Sequence, residues 1–308
     1  MKVLFRSGSP PSSMQACAVT IGNFDGMHIG HQGLLQEMAA LARWRNLPSV
    51  VITFSPHPAT ILKKPLPALI YPGWQNLCLL EKSGLVDEIC VLEFDADLSH
   101  QTAEQFLVDL KHLYPFTLLF LGEGASFGHA RTGTSLHVKD LARKHAFELI
   151  YHPLEKYQNT PVSSSHIRHL IQKGALSELP HWLGRPYKLS LENIPGQQQG
   201  RKMGFPTLNF SVEELVLPPF GVYAVTLDAG EGPIPAIANL GIAPTLYLDR
   251  SPLLEVHILS DRIPTLVHRA EITFSVFLRP EKKFDNLDSL QEQIQADIAL
   301  CHQIHTHT

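Results

Sequence analysis

The chain has 308 residues, 44% of them hydrophobic and 18% charged, with a formal net charge of −4, which describes an ordinary globular protein of roughly two domains. That charge balance excludes a dedicated nucleic-acid binder with a basic face, and no apolar run approaches the ~20 residues of a membrane-spanning helix. Four cysteines without a CxxC pair speak against a disulfide frame or a zinc knot and point to free thiols in the cytoplasm.

The opening MKVLFRSGSPPSS has only a short apolar stretch, too short for a signal peptide. Cys17 to Ile21 reads as a β-strand, and an amphipathic helix is expected from His31 to about Arg45. Between them lies Gly22-Asn23-Phe24-Asp25-Gly26-Met27-His28-Ile29-Gly30-His31. A helix N-terminus presents unpaired N–H groups and partial positive charge, so this strand-to-helix turn suits phosphate. Gly22, Gly26 and Gly30 leave room for close approach, and His28 and His31 can donate to oxygens that gain charge as pyrophosphate leaves. The bare HxGH tetrapeptide is common by chance; the strand, the helix and the two extra glycines make it a nucleotide site.

Further strands are expected at Ser49–Phe54, Ile89–Phe94 and Phe116–Leu121, alternating with helices at Trp74–Ser83, Ala103–His112 and Ser135–His145. That alternation predicts a Rossmann-like α/β domain with a parallel sheet and right-handed crossovers. Ligands of such folds gather at the carboxyl ends of the strands. Gly22–His31, Ser55–Pro58 and Gly122–Gly133 are therefore expected to share one cleft.

The character changes at 184–187. Short β-rich runs follow at Tyr187–Ile194, Phe205–Phe210, Gly221–Leu227, Pro235–Leu240, Leu254–Leu259 and Glu271–Leu278, then a helix at about Leu287–Cys301. Six strands without intervening helices predict an antiparallel β-barrel with a C-terminal helix. The domains are placed at 1–184 and 185–308. The histidines of the tail (His302, His305, His307) lack partner cysteines or carboxylates and are not read as a metal site.

In the barrel half, Gly200-Arg201-Lys202-Met203-Gly204-Phe205-Pro206-Thr207-Leu208-Asn209 stands out. On a strand Thr207 and Asn209 share a face, and their oxygens are the hard donors that Mg²⁺ accepts beside ATP phosphates. Arg201 can neutralise phosphate, and Gly200 and Gly204 leave backbone room; a surface hairpin is the competing reading. In Leu254-Glu255-Val256-His257-Ile258, Glu255 and His257 share the polar face. Glu255 is either a base beside Mg²⁺–ATP or a solvated strand carboxylate.

Together GNFDGMHIGH (22–31), FSPHP (54–58), VSSSHIR (162–168), LGRPY (183–187), GRKMGFPTLN (200–209), FGVYA (220–224), ANLGIAPT (238–245), LEVHI (254–258) and LRPEKKFDNLDSLQEQIQAD (278–297) resemble the bifunctional prokaryotic riboflavin kinase/FMN adenylyltransferase family over essentially the whole chain. The resemblance implies a first domain that joins AMP from ATP to FMN, releasing pyrophosphate, and a barrel that phosphorylates riboflavin from Mg²⁺–ATP. It implies His28, His31, Ser164 and Arg168 at the ATP phosphates, with Asn23 and Gly26 in the same pocket. It implies Thr207 and Asn209 on Mg²⁺–ATP, Glu255 as base for the ribityl hydroxyl, and Arg279–Phe284 with the last helix beside the flavin. Small-molecule substrates and a cytoplasmic setting follow; an oligomer is possible but not indicated.

Departures from the family pattern are Gly124 and Ala125 where a polar residue and an aromatic are usual, Ser55 for a carboxylate, His166 for an arginine and Leu208 for an alanine. The usual Tyr-Gly turn after the EVHI strand is replaced by Ile263-Pro264-Thr265. Competing readings are an active kinase whose first domain has a weak or altered adenylyl acceptor, and a non-catalytic flavin-binding protein.

Overall fold

A computed structural model describes residues 2–6, 16–61, 68–196, 204–242, 251–260 and 267–306. The chain forms two compact units, Met1–Pro67 with Gly73–Ser164, and Ala68–Pro72 with Ser165–Thr308. The division by compactness falls ahead of the composition change at 184–187. Residues 68–72 join the second unit because Leu69 bridges Leu215 and the Ile70 carbonyl accepts the Tyr187 hydroxyl.

The first unit is a six-stranded parallel sheet in the order β1-β4-β3-β2-β5-β6. Its strands are β1 (Lys2–Arg6), β2 (Cys17–Ile21), β3 (Ser49–Ser55), β4 (Glu88–Glu93), β5 (Phe116–Gly122) and β6 (Glu148–His152). The helices are α1 (Ile29–Trp44), α2 (Pro58–Ile61), α3 (Gly73–Lys82), α4 (Ala96–His100), α5 (Ala103–Leu113) and α6 (Ser135–Lys144). The central strands are apolar without alternation because a parallel sheet is covered on both faces; Val50, Val51 and Ile52 in succession are fully buried. Helix α1 lays Leu34, Leu35, Met38, Ala39 and Ala42 on the sheet, a single face at helical spacing. Helix α5 starts at a capping box between Thr102 and Gln105. Strand order reverses between β2 and β5, so the crevice for ligands opens beyond the ends of these two strands.

Strands β1 and β6 were not expected from the sequence. Both are five-residue edge strands without a period-two pattern. A small hairpin, β7 (Lys156–Tyr157) with β8 (Thr160–Pro161), follows β6.

Helix α7 (Ser164–Gln172) and helix α8 (Leu179–Leu183) lead into the barrel, and Gly184 ends α8 in the left-handed conformation. The barrel is closed and antiparallel, in the order β10-β13-β12-β11-β14-β9. Its strands are β9 (Lys188–Ile194), β10 (Leu208–Ser211), β11 (Gly221–Asp228), β12 (Ile234–Ile242), β13 (Pro252–Ile258) and β14 (Arg269–Pro280). Closure removes the sheet edges. The last helix, α9 (Leu287–Thr306), is tied to the barrel where Arg279 Nε and Nη2 donate to Asp297 at 2.9 and 2.7 Å. None of the four cysteines is in a disulfide, and no helix among the described residues is long and apolar enough to cross a membrane.

Leu35 is fully buried under the sheet whereas Leu136 is 72% exposed. Leu35→Ala is expected to destabilise the first unit by about 2–5 kcal/mol, and Leu136→Ala by less than about 0.5 kcal/mol. Denaturant titration checks this; equal effects would contradict the packing described.

Candidate functional site: two cavities, one in each unit

In the first unit, the turn after β2 delivers two stacked imidazoles. His28 is the N-cap of α1, and its Nδ1 accepts the His31 backbone N–H at 3.2 Å. An accepting Nδ1 carries no proton, so the donor hydrogen of His28 sits on Nε2. The two rings lie 3.6 Å apart and 14° from parallel. Gly30 packs closely here, since a Cβ on it would meet His28 Nδ1 at 3.3 Å and the ring would have to give way slightly. The turn is pinned from outside its own sequence. Asn76 on α3 accepts the Gly26 N–H at 2.8 Å and donates to Asp25 at 3.0 Å, while Ser164 donates to the Asp25 carbonyl at 2.9 Å.

Beside this turn, at the strand-order reversal, lies a cavity of about 660 Å³. Gly22, Asn23 and His57 border it, with Phe54, Phe94, Phe106 and Phe127 as apolar wall. The Asn23 side-chain nitrogen lies 3.2 Å from His57 Nε2. The loops after β2, β3 and β5 do share this cleft. His28 and His31 are not among its lining residues. Arg168 belongs to the second unit, where its Nε donates to the Ala68 carbonyl at 2.8 Å.

In the barrel, one row of residues runs across the strands in register: Asn209 opposite Glu255, Glu255 opposite Asn239, Asn239 opposite Val222, and Val222 opposite Arg279. A cavity of about 310 Å³ opens over this row. Thr207, Asn239, Glu255 and Arg279 border it, and Phe284 and Ile294 come from the segment after β14 and from α9. Burial pushes the Glu255 carboxyl above its ordinary range, and a side-chain hydrogen bond with Asn239 draws it partly back. Asn209 is 7% exposed and sits beside Glu255 rather than on the cavity wall. Thr207 immediately precedes β10, which begins at Leu208, so the strand is shorter at its start than the alternation suggested. The His257 ring donates from Nδ1 to the Pro206 carbonyl at 2.7 Å, holding the residue before Thr207. Gly200 and Arg201 lie outside the described residues; Gly204 adopts φ +88° in the turn before β10.

A family model for FAD synthetase matches residues 11–166, and one for riboflavin kinase matches residues 183–305. The bifunctional riboflavin kinase/FMN adenylyltransferase of Escherichia coli is 33% identical over 287 residues, spanning 92% of this chain and 91% of that protein. The chain belongs to this family. The Haemophilus influenzae protein of the same description is 32% identical over 289 residues, covering 92% of this chain and 93% of its own length. The crystal structure of a macrolide-efflux protein from Streptococcus pneumoniae superposes with a TM-score of 0.78 and 25% identity over 97% of this chain and 98% of that one.

Within the family framework, the ring missing at Ala125 leaves four phenylalanines around the first cavity, Phe54 against Phe94 and Phe106 against Phe127 with ring centroids 5.6 and 5.7 Å apart. Sequence reasoning missed Asn76, Phe94 and Phe106, which come from segments with no motif of their own. Asn239 was visible in ANLG, but its place beside Glu255 follows only from strand register.

Gly128 has φ +75°, and a Cβ there would lie 2.5 Å from the Ala103 backbone nitrogen. Gly128→Ala is therefore expected to loosen the cavity wall and raise amide exchange through 125–131. Gly73→Ala, at a position with nothing within 4 Å, is expected to leave it unchanged. Similar exchange in both variants would contradict this wall geometry.

Proposed function

We propose that the chain carries both activities of its family, phosphorylation of riboflavin to FMN in the barrel and adenylylation of FMN to FAD in the α/β unit. We further propose that residues 1–184 and 185–308 divide these tasks. The observation that carries the reading is that each compact unit holds its own cavity beside its own motif.

In the first unit the FMN phosphate would attack the α-phosphorus of ATP, and the bond to pyrophosphate would break. No protein nucleophile is needed; positioning and charge stabilisation supply the catalysis. His28 Nε2–H and the His31 ring would donate to oxygens that gain charge as pyrophosphate leaves, and Ser164 keeps the turn in place through the Asp25 carbonyl. Gly22, Asn23, Gly26 and Gly30 form the nucleotide side of the turn. The phosphate role that the motif gives Arg168 belongs to the same proposal. The four phenylalanines support a flavin as acceptor, because a planar ring system buries well among aromatic faces and edges.

In the barrel, Glu255 would take the proton of the ribityl hydroxyl as it attacks the γ-phosphorus, with ADP leaving. Thr207 and Asn209 offer neutral hard oxygens that fit Mg²⁺ in company with phosphates and water, and Mg²⁺ when bound would neutralise phosphate charge. Gly200, Arg201 and Gly204 would complete the phosphate side. Riboflavin, FMN and ATP are the proposed substrates, and the cytoplasm the setting.

The base must be ionised to work, and burial raises its pKa. FMN formation is therefore expected to fall toward acid with a midpoint above the ~4.3 of a free glutamate. Asn239→Ala removes the bond that lowers this pKa and is expected to move the midpoint higher still. A midpoint that stays put in Asn239→Ala, or a Glu255→Gln variant with full FMN formation, would exclude Glu255 as the base. Asn209→Ala is expected to cut FMN formation by at least about 100-fold while FAD formation from supplied FMN persists; product chromatography reads both.

A further inference from the structure

We infer that Asn76 is a positioning residue for adenylyl transfer, holding the 22–28 turn in the conformation that aims His28 and His31. This rests on the reading of that turn as the adenylyl-transfer site. Asn76 lies fifty positions from Gly26, in a stretch that carries none of the sequence motifs.

The turn needs external support. Phe24 and Met27 have φ of 51° and 39°, values that are uncommon for non-glycine residues and that depend on the surroundings to hold them. Asn76 is 8% exposed and grips two consecutive residues. Its Oδ1 accepts the Gly26 N–H at 2.8 Å and its Nδ2 donates to Asp25 Oδ1 at 3.0 Å. Only a side chain that accepts and donates at once suits this pair. A carboxylate in its place would repel Asp25, and an aliphatic group would take a bond from both buried partners. Ser164 holds the Asp25 carbonyl at 2.9 Å, so the residue is fixed at its carboxylate and at its backbone.

Two residues after Gly26 comes His28, whose ring caps α1. A rotation at Gly26 or Met27 would swing both imidazoles together. Misplacing a catalytic group by about 1 Å costs on the order of 100-fold in rate. The histidine contacts count most where charge develops on the departing pyrophosphate, so the loss belongs in kcat and not in KM.

A purely structural role is the competing explanation, and Leu80 provides the control. It lies on the same helix, 1% exposed in the cluster that also holds Phe24 and Met27, so it tests apolar support of the turn against the polar support that Asn76 gives. FAD formation from FMN and ATP is measured on the full chain for Asn76→Ala, Leu80→Ala and His31→Ala, alongside their melting midpoints. For Asn76→Ala, kcat is expected to fall about 100-fold with KM for ATP within about threefold. Leu80→Ala should melt lower yet keep kcat within about threefold. If Asn76→Ala does not fold, Asn76→Ser, whose hydroxyl is too short to serve both partners, carries the same expected split. Full FAD formation in His31→Ala would remove the underlying reading of the turn. An inactive His31→Ala beside an Asn76 variant with unchanged kcat would overturn the positioning role alone. So would a Leu80→Ala variant that loses kcat to the same degree.

Discussion

The hydrogen bond from the His31 amide to His28 Nδ1 ties together the start of a helix, the protonation of a ring and the placement of a second ring. Helix N-termini leave amides unsatisfied, and the residues that cap them best are Ser, Thr, Asp and Asn, at about 1 kcal/mol. Here an imidazole does the capping. Because Nδ1 accepts, Nε2 holds the proton, and because the cap sits at the first turn, His31 follows it onto the same side and stacks at 3.6 Å. The same helix end offers its partial positive charge to phosphate. One hydrogen bond thus couples secondary structure to the placement of two imidazoles. The preceding turn holds Phe24 and Met27 at positive φ, which costs on the order of 1–3 kcal/mol each, and the bonds from Asn76 and Ser164 support it.

The barrel solves the corresponding problem by register and not by capping. Antiparallel pairing sets Asn209, Glu255 and Asn239 side by side on three neighbouring strands, and a one-residue slip would turn all three to the other face. Closure of the barrel suppresses such slips. The Glu255 carboxyl is held in a half-buried position where burial favours its neutral form and Asn239 favours its charged form. The net shift is upward, the direction that favours the base role proposed for Glu255. The Arg279–Asp297 pair fixes α9 beside the same cavity. With Asp297 6% exposed, removing one partner would leave a buried charge unpaired.

Much of this is legible in the sequence. The αβ alternation, the strand-rich second half and the turn around His28 and His31 all carry local signals: β-branched runs, glycines at turns and a helical apolar face. Edge strands β1 and β6 were not legible, because five residues hold too little pattern to separate strand from loop. The partners of the turn were not legible either. Asn76 meets Gly26 only through packing of α3, and Phe94 and Phe106 meet Phe54 and Phe127 only because the sheet gathers their segments at one end. Thr207 was assigned to a strand on the strength of alternation, yet the chain turns at Gly204 and β10 begins just after Thr207, at Leu208. The local pattern could not foresee that His257, on another strand, would hold Pro206 instead.

The central claim is that two independent sites act in sequence on one flavin. It is tested most directly by following riboflavin, FMN and FAD over time with ATP and Mg²⁺ for the unaltered chain, for His31→Ala, for Asn209→Ala and for an equal mixture of the two variants. FMN is expected to rise before FAD in the unaltered chain, His31→Ala to stop at FMN, Asn209→Ala to leave riboflavin unconverted, and the mixture to make FAD again through released FMN. If either folded variant lost both activities, or if the mixture failed to restore FAD, two separable sites would be contradicted.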